Sequence, residues 1–369
     1  MRRVIWLIGA LVLMVLSAVA ITTWRDWSRP WIPDPGDRPP ARLIRIPSGS
    51  TLPAVTDTLV QQGLLQHPGL FRLFARLTGR DRQLQAGRYA VPVGVSPREL
   101  LDLLVAGQTL PVRVTLPEGI DVESAAAIVA ADLACDAGEF LVVADSMARA
   151  AITARRLLGG TAAAAAYDSL IGRVDARIPR KLHWAEGYLA PDTYHFAEGT
   201  SARRAAETIV ALGVARLDSA FQLRSDRLQA LALSPHQLLT LASIVEAEAR
   251  RDEERTKIAA VYVNRLAQGW RLEADPCVAY LLDKRGQRLF YKDLAVDSPY
   301  NTYRHAGLPP GPIGCPGPLS LQAAAAPAAD SEIMFFVSDA EGGHVFSRTR
   351  QEHEAAVQKF RQKRQHGGR

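Results

Sequence analysis

The chain has 369 residues, 44 of them Lys or Arg and 38 Asp or Glu, for a formal net charge of +6. With 48% hydrophobic and 22% charged residues, its composition excludes a wholly disordered chain, a collagen and a many-spanning membrane protein. Three scattered cysteines, Cys135, Cys277 and Cys315, exclude a disulfide framework or a close-paired zinc cluster, and the length suits about two folded domains.

Residues 1–24 read as a cytoplasmic stub and a transmembrane anchor. Arg2 and Arg3 precede a run from Val4 to Thr22 that holds no charge. At about 1.5 Å per residue such a run nearly crosses a hydrocarbon core about 30 Å thick. Ala18-Val19-Ala20 also fits a signal-peptide cleavage site, but the apolar run continues through it, which favours an uncleaved, single-pass anchor. The positive-inside rule then puts everything after Trp24 outside the cytoplasm, in the periplasm or facing the wall. Export argues against a nucleic-acid partner. The basic residues Lys359, Arg361, Lys363, Arg364 and Arg369, with 361–369 as a tail, suit a solvated end or an anionic lipid or wall polymer.

Residues 25–41 hold Pro30, Pro33, Pro35, Pro39 and Pro40, the composition of an extended spacer. A small unit follows over 42–110: strand (Arg42 to Ile46), helix (Pro53 to Gln62), helix (Pro68 to Leu77) and strand (Gly87 to Val93). A further helix is capped by Ser96, with Pro97 at its first position, Glu99 closing a capping box and Gly107 after its last turn. A larger mixed α+β domain over 111–360 opens with a strand, Pro111 to Leu116, and an Ala-rich helix, Asp121 to Leu133. Residues 134–180 carry little signal beyond the helix-favouring run Ala162 to Ala166.

Ser234-Pro235-His236-Gln237 then opens a well-signalled helix. At about 100° per residue, Leu238, Leu239, Leu241, Ala242, Ile244, Val245 and Ala249 share one apolar face. Glu246 falls inside that face, and Glu248 lies at its edge. A carboxylate there is costly unless it is paired, for instance with Arg250, Arg251 or Arg255, or kept protonated, which is how a general acid is made. A second helix runs over roughly Asp252 to Gln268, with Ile258, Val261, Tyr262 and Leu266 inward.

Glu186-Gly187-Tyr188-Leu189-Ala190-Pro191-Asp192-Thr193-Tyr194 reads as a loop whose aromatic and hydrogen-bonding groups suit a sugar; core packing is the plainer role for Tyr188 and Tyr194. Ser298-Pro299-Tyr300-Asn301-Thr302-Tyr303 and the Pro-rich segment 307–312 are rigid loops able to line a groove or simply to connect elements. Ile333 to Val337 and the residues around Phe346 read as strands joined by a turn, beside which His344 orients a substrate or serves the fold. No HExxH, GxSxG or GxxxxGK[ST] motif occurs.

The segments LASIVEAEA (241–249), IAAVYVNRL (258–266), the Asp275-Pro276 turn, SPYNTY (298–303), GLPPGPI (307–313) and GGHVFS (342–347), in this order and with EGYLAPDTY (186–194) upstream, resemble the endolytic murein transglycosylase, or YceG-like, family over roughly Pro111 to Phe360. The resemblance implies a single-pass bacterial inner-membrane lyase without metal or cofactor. Its implied partners are peptidoglycan glycan strands and the synthases of the elongation machinery. It also implies that residues 42–93 form a LysM-like, β-α-α-β glycan-binding module, and it maps the family's catalytic glutamate onto Glu246. As implied substrate-binding residues we take Glu186, Tyr188, Asp192, Tyr194, Asn301, Tyr303 and His344. Two departures stand out: Ala190 replaces a usual aromatic, and Gly314-Cys315-Pro316-Gly317 replaces Cys-Asn-Pro-Gly. Export would allow Cys277 and Cys315 to pair.

The implied reaction needs one carboxyl: protonated Glu246 gives its proton to the MurNAc–GlcNAc oxygen, then takes one from the muramic C6 hydroxyl as it closes on C1 to leave a 1,6-anhydro end. A hydrolytic muramidase would need a second carboxylate, for which Asp192 or Glu186 are the choices. A non-catalytic wall-binding scaffold would need neither.

Overall fold

The computed structural model describes residues 13–15, 17, 22, 27–29, 41–47, 49–92, 94–154, 181–329, 332–339 and 341–366. Most of the apolar run 4–22, the prolines of the spacer and the alanine run 162–166 lie outside them. Among the described residues no helix is long and apolar enough to cross a membrane. The chain forms two compact units, Met1–Arg113 with His195–Thr200, and Val114–Tyr194 with Ser201–Arg369. The architecture is mixed α+β.

In the smaller unit, β1 (Arg42–Ile46) pairs antiparallel with β2 (Gly87–Val91), Ile44 opposite Tyr89. Alternation sends Ile44, Ile46, Tyr89 and Val91 inward. Between the strands lie α1 (Leu52–Gln61), with Thr51 at its N-cap, and α2 (Pro68–Leu77), with proline in its first turn. The helix α3 (Pro97–Ala106) has the expected Ser96–Glu99 capping box and ends at Gly107 with φ 64. Trp27, at the head of the stretch read as spacer, belongs to this core: it is 4% exposed and stacks on Phe74 with ring centroids 4.3 Å apart.

The larger unit is mostly helical. Of the paired strands β3 (Val112–Leu116) and β4 (Asp192–Phe196), residues Val114–Leu116 and Asp192–Tyr194 belong to this unit, with Thr115 Oγ1 and Thr193 Oγ1 at 3.1 Å. After α4 (Val122–Leu133), capped by Asp121, α5 (Ala137–Ala154) packs along α6 (Ala202–Gln222). The short α7 (Asp226–Ala230) leads to α8 (Pro235–Glu248). Most of this helix is hidden, with Gln237 and Ala247 exposed: Leu238, Leu241, Ala242, Ile244 and Val245 are fully buried, and so is Thr240. Around α8 stand α6, α9 (Arg255–Ala267), α10 (Asp275–Leu281) and α11 (Pro318–Ala325). The hairpin of β5 (Phe335–Ser338) and β6 (His344–Ser347) carries α12 (Arg350–His366).

Several expectations need correction. Asp192, Thr193 and Tyr194 lie in a strand rather than a loop, because their backbone pairs with β3. Asp275-Pro276 begins a helix, proline being tolerated where the first turn has no N–H partner to lose. The second helix starts at Arg255, after a 3₁₀ turn over Asp252–Glu254. Cys277 and Cys315 are both free and buried, and burial pushes both thiols far up.

Candidate active site

The α8 start is fixed by its capping box: Ser234 Oγ accepts from Gln237 N at 3.2 Å and Gln237 Oε1 from Ser234 N at 2.9 Å. From that start the helix carries Glu246 to the junction of α9, α11 and the turn after β3. Its side chain is 8% exposed. Oε1 accepts from Arg255 Nη1 at 2.9 Å and Oε2 from the backbone N–H of Gly317 at 2.8 Å. Both oxygens accept, so the group sits there as a carboxylate. Of the two ways to make a carboxyl tolerable on an apolar face, the molecule takes pairing, and Arg255 is the partner.

Arg255, the first residue of α9, is a hub. Its Nε donates to Asp252 Oδ1 at 3.0 Å, its Nη1 also to Ser320 Oγ at 2.5 Å, and its Nη2 lies 3.8 Å from Glu118 Oε2. Glu118 comes from the turn after β3, where Gly119 takes φ +73. A Cβ placed on Gly317 would lie 2.0 Å from Glu118 Oε1. The two carboxyl groups thus meet at one arginine and one glycine. Glu118 is 42% exposed at its side chain, and its carboxyl is pushed upward by partial burial and by the charge of Glu246, against the pull of Arg255.

The turn is stapled to the Pro-rich segment. Gly119 N donates to Cys315 O and Cys315 N to Ile120 O, each at 2.8 Å, while Arg285 Nη1 donates to Gly119 O at 2.8 Å. Beside this staple lies a cavity of about 730 Å³ lined by Gly119, Ser243, Glu248, Arg250, Arg285 and Gly314, among others. A second, of about 410 Å³, shares Glu248 and Asp275 with it and adds Tyr262, Arg265 and Tyr303. Volumes and polar linings of this kind suit sugars. Glu248 Oε1 accepts from Tyr262 Oη at 2.9 Å, and burial pushes its carboxyl up to about 7.

The residues taken as substrate-binding are spread over several tasks. Tyr303 lines the smaller cavity and donates its hydroxyl to Asp275 Oδ1 at 2.6 Å. Glu186 is 2% exposed and accepts from Tyr280 Oη at 2.9 Å. Tyr188 is buried with its hydroxyl 2.7 Å from His236 Nδ1, and Tyr194 donates to Ala190 O at 2.6 Å. Asn301, fully buried, donates to Leu294 O and Val296 O. Asp192 pairs with Arg216 at 2.5 Å, and His344 Nδ1 lies 2.8 Å from Glu254 Oε2. None of these six lines either cavity. Glu118 was absent from the sequence expectations. Its signal there was a Pro-Glu-Gly turn directly after a strand.

Residues 44–359 match the YceG-like family. A Bacillus subtilis protein named endolytic murein transglycosylase is 30% identical over 328 residues, covering 86% of this chain and 84% of its own. A Streptococcus pneumoniae protein of the same name is 29% identical over 320 residues, or 84% of this chain and 56% of its own. The crystal structure of a YceG-like protein from Listeria monocytogenes superposes with a TM-score of 0.55 at 29% identity, covering 85% of this chain and 98% of that one. The chain described here belongs to the YceG-like family.

Proposed function

We propose that this protein is a peptidoglycan lytic transglycosylase. It cuts the MurNAc–GlcNAc bond within glycan strands and leaves 1,6-anhydroMurNAc ends. The observation that carries the reading is the place of Glu246: a nearly buried carboxylate, held at both oxygens, at the residue the family resemblance assigns to catalysis. An oriented carboxylate next to a substrate hydroxyl is a general base, and an attached nucleophile with an effective molarity of about 10⁵ M or more outcompetes water. Glu246 in this reading takes the C6 proton as the hydroxyl attacks C1.

The finer parts of the reading rest on sequence. Residues 4–22 anchor the chain once in the cytoplasmic membrane, and the folded units face the periplasm or wall. The smaller unit, with its β-α-α-β order, serves as a LysM-like contact to glycan. Anchoring confines cleavage to strands emerging from nearby synthases of the elongation machinery, so the enzyme sets or terminates glycan length. The test is mass spectrometry of products from long uncrosslinked strands. Internal fragments with anhydro ends, lost in Glu246→Gln, support the reading; binding without cleavage would favour a scaffold.

A further inference from the structure

The arrangement around Arg255 leaves one half of the reaction unassigned. Glu246 is engaged as a carboxylate by Arg255 Nη1 and by Gly317 N–H, which suits it to receive a proton. The departing glycosidic oxygen needs one. A carboxyl that meets the same arginine is Glu118, whose Oε2 is 3.8 Å from Arg255 Nη2 and whose Oε1 would lie 2.0 Å from a Cβ placed on Gly317, the residue that binds Glu246. Glu118 also faces outward, 42% exposed against 8% for Glu246, and its neighbour Gly119 lines the 730 Å³ cavity.

We infer that Glu118 is a second catalytic carboxyl, the one that protonates the departing oxygen while Glu246 accepts the proton of the attacking hydroxyl. The inference rests on the transglycosylase reading and replaces its single-carboxyl form. In the step, the Glu118 proton passes to O4 of the N-acetylglucosamine. The C1–O4 bond breaks with its electron pair on that oxygen, the muramic O6 bonds to C1, and the O6 proton passes to Glu246. Return of that proton from Glu246 to Glu118 resets the pair, and no water is consumed. Pairs of carboxyls whose surroundings differ are how one site holds an acid and a base together. The groups that set the Glu118 proton affinity are on hand: partial burial, Glu246 of α8 and Asp252 of the 3₁₀ turn raise it, while Arg255 of α9 and Arg216 of α6 lower it. The backbone of the turn that carries Glu118 is held at Gly119, whose N–H donates to Cys315 O and whose carbonyl accepts from Arg285 Nη1.

The test uses the full chain with two substrates: natural uncrosslinked strands, and a glycan fragment bearing 2,4-dinitrophenolate at the muramic C1, which departs without protonation. Glu118→Gln should lower kcat on natural strands by about 100-fold or more. On the dinitrophenyl substrate it should stay within about threefold of wild type, and the alkaline fall in rate should disappear. Glu246→Gln should be inactive on both. Thermal melting and strand co-sedimentation check each variant, and Glu118→Asp gives the same two-substrate comparison should the Gln variant fold poorly. Natural-strand activity retained in Glu118→Gln, or equal loss on both substrates, overturns the assignment and leaves the transglycosylase reading standing. A wild-type enzyme that forms no anhydro ends overturns both.

Discussion

The Arg255 guanidinium donates to Glu246 Oε1 at 2.9 Å, the two side chains being 10% and 8% exposed. Breaking such a pair strands a charge, at a cost of about 3–5 kcal/mol. Arg255→Met should therefore destabilise the protein by that order in urea unfolding. The double variant Arg255→Met with Glu246→Gln should recover part of the loss, since no carboxylate is then left unpaired. A single variant within about 0.5 kcal/mol of wild type would contradict the pairing.

Two glycines make opposite demands. A Cβ on Gly213 of α6 would lie 2.0 Å from the backbone oxygen of Tyr188, which cannot swing away, so Gly213→Ala should cost about 1–3 kcal/mol. A Cβ on Gly317 would lie 2.0 Å from Glu118 Oε1, the end of a flexible side chain. Gly317→Ala should leave the melting temperature nearly unchanged and cut turnover about tenfold or more, because the carboxyl is displaced. Melts and product release on the two variants check this, and the reverse ordering would contradict it.

Glu248 makes stability depend on pH. Its folded-state carboxyl titrates near 7, above the ordinary 4.5, so the folded state favours the protonated form. Its contribution is fully present below about 4.5 and is lost as pH rises through about 7, at most of order 3 kcal/mol. Relative to Glu248→Gln, the wild type should lose stability across that window in urea unfolding. Tyr262→Phe, which removes a hydrogen bond to the charged form, should carry the loss to higher pH. Parallel wild-type and Gln curves would contradict the assignment.

Trp27 stacks on Phe74 at 4.3 Å and is nearly buried. Trp27→Ala should weaken the smaller unit by about 3 kcal/mol and speed amide exchange in α2. Unchanged exchange there would show that the ring contributes nothing to the core.

What could be read from the sequence was local. The capping boxes at Ser96 and Ser234 are complete within four residues, and Glu246 stands out by projection on a helix whose face is apolar. The Pro-Glu-Gly turn marked a loop but not a partner for Glu246, because Glu118 nears it only when the turn after β3 closes on α11, which no short-range pattern records. The polar loops misled in an instructive way. Segments without regular structure leave backbone groups to be satisfied, and Asn301 and Tyr194 spend their side chains on carbonyls rather than on a ligand. The helix α6 had its own signals, Ser201 at the N-cap and Ile209, Val210, Val214 and Leu217 inward, but alanine and Gly213 dilute them.

The oxygen that attacks C1 separates a transglycosylase from a hydrolase. Cleavage of uncrosslinked strands in ¹⁸O-labelled water, read by mass spectrometry of the new ends, separates the possibilities directly. The muramic C6 hydroxyl as nucleophile predicts unlabelled ends that lack one water. Labelled reducing ends would mean that Glu118 and Glu246 activate water instead, and would contradict the transglycosylase account.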